Sequence, residues 1–464
     1  MTLNKKILAA AIVGGLFAAN AQAQVNLSAD PAAPVTFASE LVIPGAGSLT
    51  LTNLANSLDL VSPLRYSFSS GEVRYARIEC PTNVRFSAGS AVTASSAAAL
   101  GAINGLGTNA ITFSITATDA STTATSTITV SGNRSITSTT GGDCSYSLYD
   151  QPSQAQAGGT TGRIATLTGS YIAFRTSYTL TGTAVGAVAN VEASPSFSRF
   201  VSAAPTNSIA NASIGNVVFA LRTPAPRLAS GVGVTLADIL GATSNHTIAG
   251  DFANAANSDG TFTGAALNRV FFSAAADCSA VTVPATAVTA TSARFTTGAL
   301  AVNATLCYAP RTGVAIPVST YAQSFNAVSA DAALYSVGSL GPVSLGSITR
   351  NGTSLQAPFV QVPAGWQSRI VLTNTGSVAR PYTVTAQTET GVTSTLGAGA
   401  SGSIPANGTI VLNTSDIATF TGATRGTLNV TVAGPNNDIQ GLYQIVNGAT
   451  GSIANTALVR PGTN

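Results

Sequence analysis

Short runs in which apolar and β-branched residues alternate with Ser, Thr and Asn recur along nearly the whole chain. Each is bounded by Gly, Asn, Pro or Ser. Residues 111–118 read ITFSITAT, 126–130 STITV, 369–375 RIVLTNT, 382–386 YTVTA, 409–413 TIVLN and 427–432 TLNVTV. A period of two belongs to strands with one packed and one wet face, and Thr suits such positions because it is β-branched yet polar. Helical periodicity is scarce. Ala-rich stretches such as Ser95–Leu106 and Asp251–Leu267 are interrupted by Gly and read as loops or short helices. The expected fold class is all-β, with several antiparallel β-sandwich domains of immunoglobulin-like or jelly-roll-like type.

The N-terminus has the form of an export signal. Lys5 and Lys6 precede an apolar run, Ile7–Ala19, and the Ala21-Gln22-Ala23 sequence offers a cleavage site, so a signal peptide over 1–23 is expected. Beyond it no apolar run is long enough to span a bilayer as a helix, and 6% aromatic residues make a poor girdle for a membrane barrel. The mature chain would hold 18 Arg, 17 acidic residues and no Lys, a net charge of +1. That balance excludes a nucleic-acid partner, which needs clustered cations. It also excludes Schiff-base chemistry and Lys–Asn isopeptide cross-links. A surface so weakly charged has little repulsion to keep copies apart.

Export to an oxidising compartment favours disulfides for the four cysteines. Local pairing, Cys80 with Cys144 and Cys278 with Cys307, would staple one domain each. Domain boundaries follow from this: 24–211 with the first pair and a trailing polar linker, 212–329 with the second, and 330–464 holding seven or so short strands and the single Trp366.

Constellations for chemistry are sparse. His246 is the only imidazole and sits in a polar run, GATSNHT, that reads as an exposed loop. Glu72 and Glu79, or Asp143 and Asp150, are the carboxylate pairs a glycosidase would need. The first pair belongs with Arg74 and Arg77 to a stretch that reads as an ion-paired edge beside Cys80. Asp251, Asn254, Asn257 and Asp259 in DFANAANSDG are oxygen-rich but depart from EF-hand spacing, so a polar loop is the plainer reading. No catalytic residue, metal site or cofactor is expected.

The expected function is a structural subunit of an extracellular assembly, a filament (fimbrium-like) built by head-to-tail contacts or strand donation, or a surface layer (S-layer). The alternative is a secreted adhesin with a carbohydrate- or protein-binding sandwich, for which Trp366 would be an anchor were it not better placed as a half-buried core residue. Partners are further copies of the chain, joined through apolar and β-strand contacts, and a surface anchor. The expected location is the outer surface of a bacterial cell. After Pro31 and Pro34, the large apolar residues Val35, Phe37, Leu41 and Ile43 lie at alternating positions. This segment reads first as a strand of its own domain, and second as a donor strand for a neighbouring subunit.

Overall fold

In the strand Ala110–Ala117 the side chains of Ile111, Phe113, Ile115 and Ala117 are buried, every second residue of AITFSITA. The same rule organises most of the molecule. The computed structural model describes residues 24–45, 47–202, 208–296 and 304–461, and the expected leader, 1–23, lies outside them. The chain is all-β and multi-domain, with short helical turns between strands. It forms two compact units, each assembled from separated segments. The boundary drawn near 211 falls within the segment Thr181–Val218 of the second unit, and that near 329 within Phe325–Leu340 of the first.

Among the described residues, the first unit comprises those up to Leu180 with Phe219–Ser244 and Phe325–Leu340. Its largest sheet has six strands, in the order Val35–Ala38, Arg163–Arg175, Gly142–Tyr149, Val73–Glu79, Ala110–Ala117 and Ala98–Leu100. A four-stranded and a three-stranded sheet contribute to the same core, where Phe37, Ile78, Phe113, Tyr146, Ile128 and Phe86 meet. Cys80, just after one central strand, is bonded to Cys144 in the next, with an S–S distance of 1.96 Å. Closing 64 residues of chain removes unfolded-state entropy worth about 4 kcal/mol.

A charged side chain lies in this core. Arg134 is wholly buried and sits over the rings of Phe86, at 4.8 Å, and Tyr171, at 5.6 Å. Its guanidinium donates to the carbonyls of Gly132, Asn133, Leu58 and Val130. The Tyr171 hydroxyl donates to Leu58 O as well, at 2.5 Å, and burial pushes that phenol up to about 12. The four carbonyls compensate the desolvation of the cation, which otherwise would be prohibitive.

In the second unit, Asn245–Ala249 pairs with Ser292–Thr296, and Ala304–Tyr308 lies between Ala212–Leu221 and Val270–Ser273. Cys278 and Cys307 are bonded, at 1.97 Å, beside Phe271. After Arg350 this unit holds a two-stranded sheet, Thr393–Leu396 with Ala418–Thr421, and two four-stranded ones. One runs Thr353–Gln361, Arg425–Val432, Arg380–Gln387, Ser401–Ile404; the other runs Gly408–Asn413, Trp366–Asn374, Ile439–Asn447, Ile453–Ala457. Leu355, Val384, Leu428 and Val430 of the first sheet and Ile370, Leu372 and Ile439 of the second share one hydrophobic cluster. The Pro363–Gly365 turn before Trp366 needs Gly365, whose φ of +80° suits a residue without Cβ. Asn374 closes the opposite end: its amide donates to Val378 O and Pro405 O while its carbonyl oxygen accepts Gly376 N–H.

Two expectations are corrected. The Val73–Glu79 stretch is not an edge but an interior strand, flanked by Gly142–Tyr149 and Ala110–Ala117. His246 is not in an exposed loop. It lies on the strand Asn245–Ala249 and is wholly buried, because its partner Phe295 and the facing Gln323 are buried with it.

Candidate assembly surface

The polar residues singled out from sequence serve the fold. Gln323 Nε2 donates to His246 Nδ1 at 2.8 Å, and desolvation holds the imidazole down to about 4, so it is neutral at ordinary pH. Glu72 and Glu79 stand at opposite ends of one strand, about 20 Å apart by strand rise, too far for the glycosidase arrangement. Arg74 bridges Glu72 and Asp150, at 2.5 and 3.5 Å, and Arg77 pairs with Glu79 at 2.9 Å. The Tyr66 hydroxyl, donating to Glu72, holds that carboxyl below its usual range, with Ser69 N–H and Arg74 adding to the effect. Asp143 accepts from Ser170, at the far end of its strand from Asp150.

The DFANAANSDG loop is tied to itself. Asp251 accepts Ala253 N–H, Asp259 accepts from Thr261, and Asn254 donates to Ala315 O. Arg269 donates to Asn257 Oδ1 and Arg311 to Asn257 O, so cationic side chains already occupy this oxygen-rich position. Among the described residues no three His, Cys, Asp or Glu side chains cluster, and no helix is long and apolar enough to cross a membrane.

The segment with Val35, Phe37, Leu41 and Ile43 is placed in this chain's own first unit. Val35–Ala38 pairs in parallel with Ile172–Arg175, and Val35 and Phe37 are buried in the core, with Leu41 nearly so. The outer side of this strand is occupied: Ala38 N–H donates to Arg227 O, and Arg227 N–H to Thr36 O. Glu40, 3% exposed, accepts from both the backbone N–H and the hydroxyl of Ser177. Neither Arg134 nor Glu40 stood out in the sequence; their carbonyl and hydroxyl partners lie up to 137 residues away.

The two C-terminal sheets differ at their edges. In the first, the edge strand Thr353–Gln361 contains Pro358, carries an irregularity between Ala357 and Val360, and is bridged at Gln356 by Val459. Its other edge, Ser401–Ile404, is four residues long. Such features obstruct pairing with another chain. The second sheet ends in Gly408–Asn413 and Ile453–Ala457, sequences GTIVLN and IANTA, with neither Pro nor charge. Among the described residues no strand pairs with the outer side of either. All five residues of the latter are exposed, Ile453 by 59%, and Val411 of the former by 54%. Beside Ile453–Ala457 lies a groove of about 380 Å³, lined by Phe359, Tyr443, Ile445, Thr456 and Leu458 among others, none charged. Trp366 is half-buried at the start of its strand.

The sequence matches the S-layer protein Slr4 family over residues 64–449. No curated protein matches it. Among solved structures, the C-terminal domain of the AgI/II polypeptide BspA of Streptococcus agalactiae aligns at 8% identity over 68% of this chain and 96% of its own, with a TM-score of 0.17. The pilus adhesin SpaC of Lactobacillus rhamnosus GG, in its open conformation, aligns at 8% identity over 85% and 54%, with a TM-score of 0.15. Scores this low decide nothing about fold or function. The family match covers most of the chain. The chain belongs to the Slr4 family of S-layer proteins, as a non-catalytic structural protein of the bacterial cell surface.

Proposed function

We propose that this chain is the repeating subunit of a two-dimensional surface layer whose copies are joined by apolar and strand-edge contacts. The observation that carries the reading is the pair of exposed, uncharged edges on one C-terminal sheet. A charge-poor chain has few ion pairs to offer, and exposed pairs contribute only about 0–1 kcal/mol each. Burial of a Val, Leu, Ile or Phe side chain contributes about 1.5–3 kcal/mol, and pairing of unsatisfied backbone groups adds to it.

In this reading the two C-terminal sheets are the faces of a β-sandwich, since they bury alternate residues into one cluster. Residues 35–43 complete the first unit's own sheet in the assembled state rather than a neighbour's, because their apolar side chains already fill that unit's core. The two disulfides stiffen the subunit, Cys80–Cys144 within the first unit's large core and Cys278–Cys307 beside a small buried cluster.

Negative-stain imaging of the secreted protein, at low and at about molar salt, tests the proposal, because salt screens ionic contacts and leaves apolar ones intact. Ordered sheets at both salt concentrations are expected. Sheets that disperse on adding salt would show that ionic contacts hold the layer, and a protein that stays monomeric throughout would refute it.

A further inference from the structure

We propose that copies join edge to edge through the second C-terminal sheet, with Ile453–Ala457 of one copy lying antiparallel beside Gly408–Asn413 of the next. The inference rests on the layer reading and names its contact. Its first support is direction. Each strand of this sheet is antiparallel to its neighbour. With four strands, the two edges run in opposite senses. A second copy displaced across the sheet without rotation therefore presents its Gly408–Asn413 edge antiparallel to the first copy's Ile453–Ala457. The ladder continues unbroken. Because the two edges differ, the contact does not close on itself and repeats from copy to copy.

Register follows from the same pairings. Val411 is opposite Val371, Val371 opposite Leu442, and Leu442 opposite Ala457. These four residues form one row across the sheet, so displacement along that row brings Val411 of the arriving copy beside Ala457. It also brings Asn413 beside Asn455, since Arg369 and Gln444 connect them in the next outward-facing row. The strands have six and five residues, a matched length.

Side chains fit this register. Ile410 and Leu412 alternate with Val411 and point the other way, toward the core cluster against which they are half-buried. In the joined sheet they fall in the rows of Leu458 and Thr456, two residues that line the apolar groove beside the Ile453–Ala457 edge. The groove thus receives the exposed halves of Ile410 and Leu412 and loses its water-facing apolar surface. Its neutral lining and the absence of any charged residue in either strand mean that no ion is desolvated without a partner. The facing sheet, with Pro358 and its bridged, irregular edge, does not offer this continuation.

The test uses the full secreted chain, in which the four native cysteines are bonded. Val411→Cys and Ala457→Cys variants are prepared separately, then treated with a short bis-maleimide alone and mixed. Linked dimer in the mixture, and not in either variant alone, is expected. Adding Asn455→Lys to the Ala457→Cys chain should lower that product about tenfold or more by placing a charge in the joined sheet. Linking of either variant with itself would indicate a two-fold contact and overturn the proposal. Normal layers from an Asn455→Lys chain would also overturn it while leaving the layer reading in place. If the unmodified chain forms no layer at all, the layer reading fails and takes this contact with it.

Discussion

The six-stranded sheet of the first unit and the second C-terminal sheet obey the same alternation, yet end differently. The former closes at one side with Val35–Ala38, whose outer backbone groups are taken by Arg227, and at the other with the three-residue strand Ala98–Leu100. The latter ends in two strands without Pro or charge, unpaired on their outer sides among the described residues. Soluble proteins protect edges with Lys, Pro and irregularity, and here no Lys lies beyond Lys6. In the contact proposed above, the contrast separates two tasks within one architecture: guarded edges complete a subunit, and unguarded edges extend it to its neighbours.

That distinction is sharpest at Phe37. Were the 35–43 segment donated between copies, Phe37→Asp would block assembly and leave the subunit folded. Placed in its own core, with no exposed surface, Phe37 cannot become a carboxylate without unfolding the first unit. Loss of the buried ring alone costs about 3–5 kcal/mol, and the buried charge adds to it. Far-ultraviolet circular dichroism and proteolysis of the variant should show loss of the first unit's structure; a folded, non-assembling variant would restore the donor reading. Deleting residues 24–43 should have the same outcome.

Arg134→Ala comes next in size. Four carbonyls lose the guanidinium as a donor and two rings lose a cation, so about 3–5 kcal/mol should disappear from the first unit's stability in denaturant titrations. The C-terminal sheets should unfold at an unchanged midpoint if the two regions are as separate as their cores. A common shift would contradict that.

His246 gives a pH-dependent counterpart in the second unit. Its imidazole titrates near 6.5 when exposed and near 4 when folded, so between these values the unfolded chain binds a proton that the folded chain does not. Stability should therefore be level above about pH 6.5 and fall by about 3 kcal/mol by pH 4. Glu72, held below its ordinary 4.5, adds its own loss in the first unit as the pH falls through that value and below. His246→Gln should flatten the profile between 6.5 and 4; an unchanged slope would place the titrating group elsewhere.

The smallest effect on stability belongs to the residues with the largest expected effect on assembly. Val411→Lys and Asn455→Lys change exposed side chains and should shift stability by no more than about 0.5 kcal/mol. Thermal unfolding of the monomer checks this. A large loss would mean that these edges are part of the subunit's own packing.

Much of this was legible in the chain itself. ITFSITAT, RIVLTNT and TLNVTV all lie on strands, because alternation is a local property that survives any topology. The charged stretch around Arg74 and Arg77 was legible as ion-paired but not as interior, since neighbouring strands come from residues 110–117 and 142–149. His246 and Gln323 are 77 residues apart, and Arg134 and Leu58 76 apart. Buried polar partnerships of this span leave no periodic trace. Which strand ends a sheet is likewise a matter of topology: TIVLN reads the same whether central or bare.

Hydrogen exchange of the assembled protein against the dispersed monomer tests the central claim most directly, because strand addition converts open edge amides into bonded ones. The account predicts slowed exchange concentrated in residues 408–413 and 453–457, with 35–38 and 98–100 unchanged. Protection that appears elsewhere and leaves both of those edges exchanging at the monomer's rate would contradict it.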